Sequence, residues 1–156
     1  MSSTSLNVFF DTSALAKYFY GEPGSDRVIE LIEAPEHTSW CSRLACVEFV
    51  SAMHRKFREE ALDGTQLERA LAGFEQAMAA FRIEALNRTV VSDAEALLKT
   101  HGREDALRTL DALHLATYLR LANHQWRFVV ADDRLYSVAE KEGGAVIHPL
   151  RADGSD

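Results

Sequence analysis

Cysteine, proline and long apolar runs are all scarce in this sequence, and each shortage narrows the class of protein. Cysteine occurs twice, at Cys41 and Cys46, and no further cysteine or histidine pair completes a zinc site. We expect both to be buried free thiols in a reducing compartment, on different faces of one helix. Three prolines and a charged fraction of 26% argue against a long disordered segment.

No stretch of the sequence approaches the roughly 18 uninterrupted apolar residues that a membrane-spanning helix requires. The first residues, MSSTSLNVFFD, also lack the basic region and the apolar core of a signal peptide. We therefore expect a protein of the cytoplasm that has no membrane association.

A formal net charge of −7 is unusual for a nucleic-acid-binding protein, because phosphate-binding surfaces are usually basic. Carboxylates that ligate divalent cations are neutralised by the metal, however. Residues 54–58, HRKFR, can also form a local basic patch on an acidic protein. The charge balance therefore does not exclude nucleic-acid binding, and it predicts that any protein partner carries positive charge.

Short apolar runs alternate with amphipathic segments along the chain. Buried strands are predicted most clearly at residues 6–10 and 127–131, and less clearly at 37–40, 82–86 and 145–148. Strands that alternate with helices imply an α/β fold with a mainly parallel sheet and right-handed crossovers. An apolar fraction of 47% in 156 residues suits a single domain, residues 1–149, with a polar tail at 150–156.

Helical periodicity between these strands makes several local predictions. After Ser42 the inward positions recur at helical spacing: Leu44, Val47, Val50 or Ser51, and Phe57. Thr65 is expected to cap the next helix, and residues 92–95, SDAE, have the form of a capping box. A further helix is predicted over residues 109–123, with Leu110 among its inward positions.

Aspartates follow both of the clearest strands, at the edge of the sheet where parallel α/β proteins bind ligands. Asp11 ends the first strand, and Asp132 ends the later one. An aspartate in this place is also the usual N-cap of the following helix, and the two roles are compatible.

Two further acids and one histidine stand out in the predicted helices. Glu48 has small or apolar neighbours one turn away, which is typical of a cleft; a partly exposed glutamate is the alternative. Asp111 begins a helix, where it would also complement the macrodipole. His114, three residues on, is expected to be packed and hydrogen-bonded, with contact to substrate as the alternative.

Four carboxylates in one place would suit chemistry with Mg²⁺ or Mn²⁺. These hard cations prefer carboxylate oxygen and retain several waters. One such ion lowers the pKa of a bound water and stabilises charge on an attacked phosphate, and a second about 4 Å away can hold the leaving oxygen. The chemistry needs no nucleophilic serine or cysteine, and none has a convincing histidine partner here.

Four stretches resemble, in order and spacing, the PIN-domain nucleases, and within them the VapC-type toxins of toxin–antitoxin pairs. The resemblance runs from about Val8 to Ile147. The stretches are residues 10–18, FDTSALAKY, followed by Glu22-Pro23-Gly24; residues 42–52, SRLACVEFVSA; residues 110–116, LDALHLA; and residues 129–135, VVADDRL, with Ala139 and Gly143.

The resemblance implies a PIN-like three-layer α/β/α sandwich that cleaves single-stranded or loop RNA with Mg²⁺ or Mn²⁺. It also implies a homodimer and inhibition by a small cognate antitoxin whose basic segment occupies the cleft. Ser13 would support the first acid by hydrogen bonding. The residues that would ligate the metal and carry catalysis are Asp11, Glu48, Asp111 and Asp132.

Two features bear on this assignment. The family commonly has Thr or Ser two residues before its last aspartate, and here that position is Val130, so a hydroxyl is missing. Asp133, next to Asp132, leaves open which of the two acids faces the metal.

Two alternatives to a ribonuclease can be separated by sequence features. A haloacid-dehalogenase-like phosphatase also has an aspartate after its first strand, but it requires a second aspartate two residues later, where this chain has Ser13. A PIN-fold module that binds RNA or protein without catalysis would be expected to lack some of the four acids. Here all four are present, which argues against the inactive module, and Val130 is the feature that leaves it open.

Overall fold

Strands and helices alternate along residues 4–152, the part of the chain that the computed structural model describes. The strands are β1 (Asn7–Phe10), β2 (Thr38–Ser42), β3 (Arg82–Glu84), β4 (Trp126–Val129) and β5 (Val146–Ile147). The helices are α1 (Thr12–Phe19), α2 (Ser25–Glu33), α3 (Arg43–Arg58), α4 (Gly64–Met78), α5 (Arg88–His101), α6 (Thr109–Leu121) and α7 (Asp133–Lys141).

The five strands form one sheet in the order β3-β2-β1-β4-β5, and every neighbouring pair is parallel. Parallel neighbours cannot be joined by tight turns, so each connection crosses a face of the sheet and carries helices. This confirms the predicted α/β sandwich with a mainly parallel central sheet. It also brings the carboxyl ends of β1, β2 and β4 to the same edge.

Alternation along β1 divides the hydrophobic core between the two faces of the sheet. Val8 and Phe10 belong to a cluster with residues from α1 to α4, whereas Phe9 belongs to one with residues from α5 to α7. The Phe9 ring contacts those of Tyr118 and Phe128, at centroid distances of 6.0 and 5.6 Å. Because β1 is buried on both faces, the backbone that carries Asp11 is held rigidly in place.

The prediction for the face of α3 is wrong. Val47, Val50 and Phe57 are 66%, 43% and 44% exposed, and the buried residues of this helix are Ala45, Phe49 and Met53. The sequence contains two overlapping apolar stripes. The stripe with Phe49 faces the core because this ring stacks on Phe74, at a centroid distance of 4.0 Å. Leu110 in α6, also expected to point inward, is 44% exposed.

Two predicted helix starts are also wrong. Asp63, not Thr65, caps α4, because its side chain accepts from the amide of Gln66, which reaches back to complete a capping box. The helix α5 begins at Arg88 and is capped by Asn87, which accepts from the amide of Val90. Residues 92–95 therefore lie inside that helix.

The two cysteines do not share a helix, contrary to the prediction. Cys41 lies in β2, because this strand extends to Ser42 by pairing with β3, and Cys46 lies in α3. Both are free, as expected; Cys41 is buried and Cys46 is half-buried. Within residues 4–152 no helix is both long enough and apolar enough to cross a membrane.

Candidate active site

The four predicted acids line one cleft of about 490 Å³ at the carboxyl edge of the sheet. Each comes from a different part of the fold. Asp11 follows β1 and Asp132 follows β4, which are neighbouring strands, whereas Glu48 lies in α3 and Asp111 in the first turn of α6. The sheet therefore brings together residues that are up to 121 positions apart in the chain.

Asp11 forms the buried floor of the cleft and is 3% exposed. One of its oxygens accepts the amide of Ala14 at 2.8 Å, which caps α1. The hydroxyl of Ser13 donates to the same carboxylate, lying 3.0 and 2.8 Å from its two oxygens. Burial raises the pKa of Asp11 to about 6, although His114 and the two hydrogen-bond donors oppose the shift.

Glu48 is held by two donors from other elements. The hydroxyl of Thr12 donates to its Oε1 at 2.8 Å, and Nε2 of His114 contacts the same oxygen. Burial by itself would raise the pKa of Glu48, but the hydrogen bonds from His114 and Thr12 hold it below its ordinary value. Because α1 supplies Thr12 and α6 supplies His114, the position of Glu48 depends on three helices.

His114 is 2% exposed, so the expectation of a packed, hydrogen-bonded histidine is confirmed. An ionised Glu48 can only accept, which assigns the proton to Nε2 of His114. Nδ1 of His114 is buried and has no hydrogen-bond partner within the described part of the chain. His114 therefore lines the cleft and supports Glu48 there.

Asp111 and Asp132 share the guanidinium of Arg108. Nε of Arg108 is 3.0 Å from Oδ2 of Asp111, and one terminal nitrogen is 3.5 Å from Oδ2 of Asp132. Burial raises the pKa of Asp111, against the opposing effect of Arg108. The other oxygen of Asp132 caps α7 by accepting the amide of Leu135 at 2.9 Å. Both strand-end aspartates are thus helix caps and lining residues at once.

Asp133 and Val130 point away from this cleft. The Asp133 side chain is 76% exposed and accepts from Arg151 at 2.6 Å and His148 at 3.0 Å. Val130 is fully buried in the core with residues of α5, α6 and α7. Of the adjacent acids, Asp132 is the one that lines the cleft.

The donor set suits a hard divalent cation in its chemistry. Within residues 4–152 no three acidic, histidine or cysteine side chains already converge as ligands. Asp111 and Asp132 are turned toward Arg108, and Glu48 toward His114. Asp11, however, is a buried carboxylate without an ion-pairing counter-charge in the described chain, and burial raises its pKa. A cation beside Asp11 would supply that charge.

Sequence reasoning missed Thr12 and Arg108 as residues of this cleft. Arg108 could have been found from its position three residues before Asp111. At the start of a helix, this spacing allows the two side chains to form an ion pair. Thr12 gave no such signal, because its partner Glu48 is 36 residues away.

The chain belongs to the PIN-domain family, whose model matches residues 8–141. Ribonuclease VapC46 of Mycobacterium tuberculosis (strain ATCC 25618 / H37Rv) is 32% identical over 142 residues, which cover 91% of this chain and 97% of that relative. These matches confirm the resemblance to PIN-domain nucleases and, within them, to the VapC type.

Two solved structures share the fold. The FitAcB structure from Neisseria gonorrhoeae has a TM-score of 0.67 at 19% identity and covers 93% of this chain and 99% of its own. A toxin–antitoxin complex from Klebsiella pneumoniae has a TM-score of 0.61 at 17% identity, with coverage of 93% and 99%. At these identities the likeness extends to the fold alone.

Proposed function

We propose that this chain is a Mg²⁺- or Mn²⁺-dependent endoribonuclease that cleaves single-stranded or loop RNA and acts as the toxin of a toxin–antitoxin pair. The observation that carries the proposal is the convergence of four acids from four parts of the fold on one cleft. Similarity to a relative named ribonuclease VapC46 over nearly the whole chain supports it.

The four acids would hold the metal: Asp11, Glu48, Asp111 and Asp132. When bound there, Mg²⁺ or Mn²⁺ would activate water for attack on phosphorus and neutralise charge on the phosphate oxygens. The protein's own contribution is to orient these carboxylates. Ser13 and the amide of Ala14 fix Asp11, and Thr12 with His114 fixes Glu48.

The shape of the cleft favours a flexible strand over a duplex. Asp11 lies at the floor, so a phosphate must enter the cleft to reach it. Loops and single strands can bend their backbone and splay their bases, whereas a regular helix presents a rigid outer surface. This is why single-stranded or loop RNA is the proposed substrate.

The proposal includes a small antitoxin with a basic segment and a homodimer of this chain. A net charge of −7 and an acidic cleft would attract basic residues. A structural neighbour, from Klebsiella pneumoniae, is itself described as a toxin–antitoxin complex. We further propose that residues 1–149 form a single nuclease domain that works in the cytoplasm.

A cleavage assay tests the enzymatic proposal. The purified protein should cut a labelled single-stranded RNA in Mg²⁺ or Mn²⁺ and not in EDTA, and Asp11→Asn should be inactive although folded. Asp133→Asn is the matched control, because it changes an acid that points away from the cleft. Hydrolysis of a small phosphomonoester without RNA cleavage would instead favour the phosphatase alternative.

A further inference from the structure

The cleft that contains the four acids also has a basic half, formed by Lys17, Arg55 and Lys56. This half contains three cationic side chains and a single carboxylate, that of Glu22. A concentration of positive charge is unexpected on a chain of net charge −7.

Helix α3 connects the two halves. Glu48 and Arg55 both line the cleft and are seven residues apart, so they lie on the same side of the helix, two turns from each other. The rise of the helix separates their Cα atoms by about 10 Å. The basic half is therefore next to the acids along the cleft.

The two lysines of the basic half are held in place by shared contacts. Glu22 Oε2 lies 3.3 Å from Nζ of Lys17, and its Oε1 lies 3.6 Å from Nζ of Lys56. Lys17 is buried and also donates to the carbonyl of Pro23 at 2.8 Å. The ammonium of Lys56 sits over the ring of Tyr20, 4.2 Å from its centroid. This half is thus preorganised, and Arg55 adds an exposed guanidinium to it.

We propose that the basic half is a binding site for a phosphate of the RNA backbone that flanks the scissile phosphate, with Arg55 and Lys56 as its contacts. This rests on the proposed ribonuclease function and adds a substrate subsite to it. Glu22 and Tyr20 act as positioning residues for Lys56. Contacts of this kind fix the register of a strand without reading its bases.

The positive charge of the basic half favours RNA over a basic protein segment as its occupant. A basic segment would be attracted by the four acids but repelled by Lys56 and Arg55. A nucleic-acid strand fits both halves, because a metal would join one phosphate to the acids while the next phosphates meet cations directly. A single phosphate ion would reach one half only.

Binding of single-stranded RNA tests the subsite without any need for cleavage. Anisotropy of a labelled oligonucleotide is measured in the Asp11→Asn background over a range of salt concentrations. Arg55→Gln and Lys56→Gln should each weaken binding several-fold and reduce the slope of log K against log salt by about 0.7. Arg58→Gln is the matched control, because Arg58 belongs to the same helix, is exposed and does not line the cleft.

Neutral methylphosphonates, placed at one phosphate at a time, locate the contact. In the Arg55→Gln variant, a methylphosphonate at one position next to the scissile phosphate should no longer weaken binding. The side chain that contacts that phosphate has already been removed in this variant. Additive losses at every position, or an equal loss for Arg58→Gln, would overturn the subsite. So would a glutamate-rich peptide that competes more strongly than RNA. If the effect of one methylphosphonate depends on Arg55 but the protein never cleaves RNA, the subsite would be supported and the proposed ribonuclease function would be contradicted.

Discussion

The guanidinium of Arg108 lies against the carboxylate of Asp111, with Nε 3.0 Å from Oδ2. The same group reaches to 3.5 Å from Asp132, so one side chain neutralises two of the proposed metal ligands. A divalent cation and this guanidinium would therefore compete for the same carboxylates. Because Arg108 is largely exposed, solvent weakens its hold, and a metal with more ligands should displace it.

Replacing Arg108 should therefore strengthen metal binding. We expect Arg108→Gln to lower the Mn²⁺ dissociation constant several-fold, as measured by calorimetric titration of the RNA-free protein. Arg134→Gln is the control, because it removes the same charge from an exposed position of α7 outside the cleft. Equal or weaker Mn²⁺ binding in Arg108→Gln than in this control would contradict the competition.

Metal binding should stabilise the fold through Asp11. Bringing carboxylates together without a cation is unfavourable, so a ligand that binds only the folded state raises its stability. Millimolar Mg²⁺ or Mn²⁺ should raise the melting temperature of the wild type, and the increase should be smaller in Asp11→Asn. The measurement is a thermal melt with and without EDTA. An equal response of both proteins would show that Asp11 is not a ligand.

Cleavage should discriminate between two adjacent aspartates. Asp132→Asn should lose at least about 100-fold in kcat/KM, beyond the 10- to 100-fold cost typical of residues that only support a ligand. Asp133→Asn should retain most activity, because this side chain pairs with Arg151 and His148 outside the cleft. Asparagine retains the capping oxygen for α7 and so limits the loss of stability. The opposite ranking would mean that Asp133 reaches the metal.

Stability should depend on pH through His101, which does not line the cleft. Its ring contacts Glu142 at 2.5 Å and Asp105 at 2.7 Å, and these hydrogen bonds raise the pKa of His101 above its ordinary value of 6.5. The stabilisation is therefore complete below pH 6.5 and is lost as pH rises through the raised pKa. The free energy difference between wild type and His101→Gln, from urea unfolding, should be larger at pH 6 than at pH 9. A constant difference would show that folding leaves the pKa of His101 unchanged.

Expression in cells tests the proposed toxin activity and its inhibition by an antitoxin. The chain expressed alone should arrest growth, and co-expression of a small antitoxin gene, if one lies beside its own gene, should relieve the arrest. The proposed inhibitor places an arginine or lysine among the acids, where a guanidinium would bind two carboxylate oxygens at once. Removing that basic residue should weaken inhibition more than binding. Normal growth with soluble folded protein present would remove the toxin assignment and leave the nuclease proposal to the cleavage assay.

Much of the fold could be predicted from sequence because its signals are local. The runs that became β1 and β4 are mostly apolar, as is typical of strands buried on both faces, and an aspartate lies one residue beyond β1 and three residues beyond β4. The carboxyl ends of parallel strands share one edge, so Asp11 and Asp132 could be expected together. The buried face of α3 could not, because two apolar stripes overlap there and the packing of Phe49 on Phe74 decided between them.

The sequence by itself identified the four acids, since two of them follow the clearest strands and all four lie in the stretches that resemble one family. Only the tertiary structure decided what surrounds them. Arg108 reaches Asp132 from 24 residues away, and Glu48 binds His114 from 66 residues away, because distant elements pack at the same edge of the sheet. In the sequence, Arg55 is one of several charges in a basic run. It lines the cleft because the burial of Phe49 in the core sets the rotation of α3. Which side chains share a cleft depends on packing between elements, and no spacing within a single element contains that information.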